Sequence, residues 1–229
     1  MLWITLVLLE KKCYGLFMTE DLVKKTADYV RQKLHHEPSG HDWFHVQRVW
    51  KTAKFIQKKE GGDLLIIELA ALLHNLKEHH CSLCHDRKAT LAVKGMMDVI
   101  GIDEELQDKI IEVIDDSKYK AGQTRLPKSI EGKIMQDANW LDSLGAVGIA
   151  RVFASGGYHS RPIYDPAIKI RKYLNYREYL EKKQTTSFNY LHEKVLKVAK
   201  LMNTKTAKRL ARERLAIVLR FIDEMKKEL

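Results

Sequence analysis

Two histidines, an amide and a polar turn carry the chemistry that this sequence offers. His45 lies in GHDWFHVQRVW, and His74 and Asn75 sit near the end of the run LLIIELAALLHNL, Leu64 to Leu76. A third polar point in an apolar setting is QDANWLDSLG, Gln136 to Gly145, which holds Asp137, Asn139 and Asp142. Imidazoles supply nitrogen lone pairs to a metal ion or move protons. Amide and carboxylate oxygens complete divalent-ion sites, and any polar group taken into a core needs a partner. Converging in an interior, these groups would make either a metal centre or a dry hydrogen-bonded cluster, and the residues alone leave both open.

Helices must position them. Leu64 to Leu76 is apolar on every side, the pattern of a helix buried inside a larger protein, so it delivers His74 and Asn75 into the core. Upstream, apolar positions at Leu22, Val23, Ala27, Val30 and Leu34 predict a helix over Asp21 to Leu34, with an N-cap signal at Thr19 and an end at HHEPSG. Asp42 caps the helix that carries His45, whose apolar face is Val46, Val49, Trp50, Ala53 and Ile56. Gly61 and Gly62 break it. Further helices are expected at Lys88 to Ile100, Glu104 to Ile114 and Ser129 to Ala154, the last carrying Asp137, Asn139 and Asp142. Ser117 to Ser129 reads as a basic loop and Ser155 to Pro166 as a loop containing Arg161. The last third is charged and helical from Tyr173, interrupted at QTTSFN and ending in a helix over Thr204 to Leu229. Alternating strand patterns are missing, so the fold class is all-α, a helical bundle over residues 18–229 preceded by an extension, 1–17.

Composition narrows the partners. Lys+Arg outnumber Asp+Glu by 40 to 30, which suits an anionic ligand such as a nucleotide or another phosphorylated metabolite. No aromatic-interleaved basic motif of the RNA-binding kind occurs, so nucleic acid is not the expected partner. Three cysteines, an odd number, favour a reducing, cytoplasmic setting over a disulfide framework. Cys81 and Cys84 look like half of a zinc site, but no second pair follows at finger spacing, and CSLCHD reads as a polar loop. The N-terminal apolar run is too short for a membrane span. There is no GxGxxG, no P-loop, no nucleophile elbow and no solenoid repeat.

GHDWFHVQRVW, ELAALLHNL, EGKIMQDANWLDSLGAVGIAR, RPIYDP and TTSFNYLHEKVLKVAKLMNTKTAKRLARER, in that order, resemble the HD-domain metal-dependent phosphohydrolases, in particular the YpgQ/YedJ-like branch of nucleoside triphosphate pyrophosphohydrolases. The resemblance spans about Met18 to the C-terminus. It implies a single HD-domain bundle, a divalent ion such as Mn²⁺ or Mg²⁺, a nucleotide substrate, and metal ligands at His45, His74, Asn75 and Asn139. The last two stand where the family pattern has Asp, which leaves a ligand set without charge, weakening or abolishing metal binding. Asp137, Lys118 and Arg161 are the expected catalytic groups, and Lys120 and Arg125 the expected phosphate contacts. A homo-oligomer stays open. So do two functions, a phosphohydrolase impaired at its carboxylate positions and a non-catalytic relative that binds nucleotide or a partner.

Overall fold

The computed structural model describes residues 19–79, 86–172, 176–177 and 185–229, all helix, turn or loop with no strand among them. Residues 1–17 and the CSLCHD cysteines lie outside the described residues. Helix α1 covers 19–34 and buries Val23, Ala27, Val30 and Leu34 along one stripe. A turn over 35–42 leads into α2, Trp43–Glu60. There the Asp42 carboxylate accepts from the His45 N–H at 2.8 Å, and the chain leaves through Gly61 at φ +84°.

Helix α3, Leu64–His79, is the centre of the bundle. Leu69 to Asn75 are all buried, and α2, α4, α5 and α6 pack around it. Helix α4 runs over Asp86–Ile100 and α5 over Glu104–Asp116, the latter capped by Asp103. The basic loop that follows contains one 3₁₀ turn, Ala121–Gln123.

The expected helix from Ser129 to Ala154 is two helices. Helix α6 is Ile130–Leu141, capped by Ser129, and α7 is Gly145–Tyr158. Between them Ser143 Oγ donates to the Trp140 carbonyl at 2.6 Å, and Gly145 takes φ +75°. A Cβ at Gly148 would stand 2.2 Å from the Ser143 carbonyl carbon, so only glycine lets the second helix fold back this closely. Arg214 Nη1 closes the end of α6 by donating to the Leu141 carbonyl at 2.6 Å. The apolar pattern hid this corner because Leu141, Leu144 and Ile149 stay buried straight through it.

After a loop, α8 (Ser187–Tyr190) passes into a π-helical turn, Leu191–Val195, and a short α9, Leu196–Val198. The π turn carries Glu193 fully inside, where Thr185 Oγ1 donates to it at 2.9 Å and Arg171 pairs with it. Helix α10, Lys205–Glu228, starts on Thr204 and lies across α7, α6 and α2. No helix of the described residues is long and apolar enough to cross a membrane.

Candidate metal centre

The first turn of α2 and the end of α3 bring His45 and His74 face to edge, with ring centroids 5.2 Å apart and both side chains about 1% exposed. His45 Nδ1 lies 2.6 Å from Asp142 Oδ2, and His74 Nδ1 lies 2.7 Å from the Ala71 carbonyl. Both partners are pure acceptors, so each Nδ1 carries the proton. The two Nε2 atoms face each other at 3.2 Å. Burial, with the Arg151 charge adding to it, pushes His45 down to about 3 despite Asp142, so a proton is disfavoured there. Two nitrogens on one divalent ion lie about 3–3.4 Å apart, and the pair fits that spacing.

Asn75 follows directly. It is 0% exposed, its Nδ2 donates to the His41 carbonyl at 2.6 Å, and its Oδ1 is buried with no hydrogen-bond partner. A buried amide oxygen without a partner, on the residue next to His74, is what an oxygen ligand would leave when the ion is taken away. Asn139 is half-buried on α6, one turn before Asp142. Among the described residues no group of three or more His, Cys, Asp or Glu is gathered as a metal site. The donor set fits an ion through nitrogen and amide oxygen and lacks a free carboxylate.

The turn before α2 is tied to this centre from several sides. The Glu37 carboxylate accepts from the Ser39 and His41 N–H groups at 2.9–3.1 Å, and Arg151 Nε donates to the Gly40 carbonyl at 2.6 Å. Gly40 takes φ +82° with the Arg151 side chain against it.

Sequence reasoning did not give Asp142, Arg48 and Arg151 their part. Asp142 caps α6 and is reached by Arg48 Nε and Nη2 at 2.8 and 3.0 Å and by Arg151 Nη1 at 3.2 Å. Burial would raise its carboxyl, but the hydrogen bonds from His45 and Arg48 and the nearby positive charge win, holding it well below the usual carboxylate range. This ionised acid fixes the His45 tautomer and ring, as carboxylates behind metal-binding histidines do. The available signal was Arg48 three residues after His45 on one helix face.

Asp137, expected among the catalytic groups, has its oxygens committed elsewhere. Oδ1 accepts from Asn203 N and Nδ2, and Oδ2 from Thr204 N and Oγ1, at 2.8–2.9 Å, which pins the start of α10 to α6. Lys118 is 3.2 Å from Asp115, Lys120 is half-buried, and Arg125 is exposed. The Arg161 guanidinium lies over the Tyr190 ring at 4.7 Å, and its Nε is buried without an acceptor. Lys194, which the sequence had not singled out, stands over both Tyr119 and Tyr190 at 5.9 and 5.7 Å, while Tyr119 packs on Trp140. Burial, with Tyr190 nearby, pushes the Tyr119 hydroxyl up to about 12, so it stays a neutral donor.

No family model matches the chain. The uncharacterized protein YpgQ of Bacillus subtilis is 33% identical over 206 residues, spanning 88% of this chain and 90% of YpgQ. The crystal structure of YpgQ in complex with ADP superposes with a TM-score of 0.68 at 31% identity, covering 90% and 97% of the two chains. A Lactobacillus plantarum protein gives a TM-score of 0.80 at 34% identity, covering 90% and 96%. An HD-superfamily hydrolase of Bacillus thuringiensis gives 0.68 at 35%, covering 92% and 97%.

Proposed function

This chain belongs to the YpgQ-like family of HD-domain proteins, and we propose that it is a nucleotide phosphohydrolase whose divalent ion is weakly held. The observation that carries the reading is the pair of buried imidazoles, each anchored through Nδ1, whose Nε2 atoms stand 3.2 Å apart. The ADP bound by the B. subtilis relative supports a nucleotide as ligand.

In this reading His45 and His74 hold the ion, Asn75 and Asn139 give it neutral oxygens, and Asp142 keeps His45 in the tautomer that leaves Nε2 open. A bound divalent ion supplies polarisation of a phosphoryl oxygen and a lower pKa for an attacking water. Water adds to the α-phosphorus of a nucleoside triphosphate, the bond to the bridging oxygen breaks, and pyrophosphate leaves with that oxygen. Arg161 suits the phosphate chain because its Nε–H is buried without an acceptor, and Lys118, Lys120 and Arg125 add positive charge from the neighbouring loop.

A second reading rests on a separate observation. Both acids of the 136–142 turn are consumed by other groups, so a nucleotide-binding protein without turnover would keep every contact described. Pyrophosphate release from a panel of nucleoside triphosphates with Mn²⁺ decides between them. Release that the His45→Ala variant lacks supports the enzyme, and equal traces from both leave the binding role.

A further inference from the structure

Resting on that reading and deepening it, we infer that Arg161 and Lys194, gathered on the Tyr190 ring, form an anion subsite for the pyrophosphate portion of the nucleotide, with Lys194 the residue that selects a triphosphate over a monophosphate.

Two cations without a counter-ion lead there. The half-buried Arg161 guanidinium lies 4.7 Å from the centre of the Tyr190 ring, and the half-buried Lys194 ammonium lies 5.7 Å from the same ring. Among the described residues neither has a carboxylate at ion-pair distance, whereas Arg171 has Glu193, Lys118 has Asp115 and Arg151 has Asp142. An aromatic face holds a cation without cancelling its charge and leaves the guanidinium edge to bond an anion. Arg161 Nε is buried with no acceptor, and Nη2 reaches the Val152 carbonyl only at 3.5 Å. A buried donor without an acceptor costs stability, and two like charges at one ring repel. An oxyanion reached by both removes both costs.

Lys194 owes its freedom to the π-helical turn Leu191–Val195. Its neighbour Glu193 is 0% exposed and turned inward onto Thr185 and Arg171, so that carboxylate is already committed. Single π turns within helices recur at functional sites. Lys194 also stands 5.9 Å from the Tyr119 ring, which packs on Trp140 at 6.0 Å, and Trp140 follows Asn139 on α6, two residues before Asp142. The subsite is thus tied to the helix that ends at the metal centre. A nucleotide attacked there at its α-phosphorus has two further phosphates to place, and a monophosphate has none.

The test reads binding rather than turnover. Pyrophosphate is titrated calorimetrically into the full-length, metal-free chain. The inference expects Lys194→Gln and Arg161→Gln each to weaken binding by roughly ten-fold, Lys194→Arg to stay near the parent, and Lys200→Gln, which removes the same charge from an exposed lysine, to change nothing. AMP should bind the parent and Lys194→Gln alike, and an equal loss for AMP overturns the selectivity. No pyrophosphate binding to the parent, or equal weakening in Lys200→Gln, overturns the inference and leaves the hydrolase reading to its own assay. Pyrophosphate held at Lys194 by a chain that releases none from triphosphates sinks the hydrolase reading and keeps the subsite. Acetylation of the parent by acetic anhydride, read by peptide mass, needs no substitution: pyrophosphate should shield Lys194 and not Lys200, and equal labelling with and without it overturns the inference.

Discussion

Asp137 on α6 and Asp142 at the C-cap of that helix are both buried and do opposite work. Asp137 is surrounded by neutral donors, the N–H groups of Asn203 and Thr204, the Thr204 hydroxyl and the Asn203 amide. Burial outweighs those bonds and raises its carboxyl. Asp142 is surrounded by cations and a histidine, and its carboxyl is lowered. Burial alone thus says little about an acid. Neutral donors make Asp137 a knot between helices, and charged ones make Asp142 the support of a buried imidazole.

Removing the charged acid should cost most. Asp142→Ala leaves Arg48 and Arg151 without their buried partner and frees the His45 ring, and we expect a loss of about 3–5 kcal/mol in urea unfolding, together with loss of Co²⁺ binding. Asp137→Asn should cost less, about 1–3 kcal/mol, because one face of the amide cannot accept from Asn203 or Thr204, yet Co²⁺ binding should survive. If the two variants lost metal binding equally, the division of labour would be wrong.

Acid titration sharpens the same contrast. His45 has a folded value of about 3 against an ordinary 6.5, so between these the unfolded chain binds the extra proton. Stability is full above about pH 6.5 and falls as pH drops toward 3. Asp142, lowered in the folded state, adds to that loss below its unfolded value. Asp137, raised, works against it, since the folded chain takes that proton first. Urea midpoints of Asp137→Asn should therefore fall more steeply with acid than those of the parent. The smallest effect is expected at Arg125→Ala, exposed on its loop, where stability should stay within about 0.5 kcal/mol. Any change there should fall on KM for nucleotide rather than on unfolding.

The bundle was largely legible from local pattern: Asp42 marks the start of α2, Gly61 its end, and the all-round apolar run of α3 its burial. The corner at Asp142 to Leu144 was not, because burial continues across it and only Gly145 and Gly148 betray the turn. His45 and His74 stood out as polar groups in apolar helices. The support behind them did not, since Asp142 lies 97 residues from His45 and Asp137 67 from Thr204, separations that no helical period encodes.

The central claim is that His45 and His74, each anchored through Nδ1, turn their Nε2 atoms toward a shared ion. Long-range ¹⁵N–¹H correlation spectra of the metal-free chain at neutral pH test it directly. The account predicts that His45 and His74 both show protonated Nδ1 and unprotonated Nε2, with the Nε2 signals moving together as Zn²⁺ is added. A proton on either Nε2, or Nε2 signals indifferent to Zn²⁺, would contradict it.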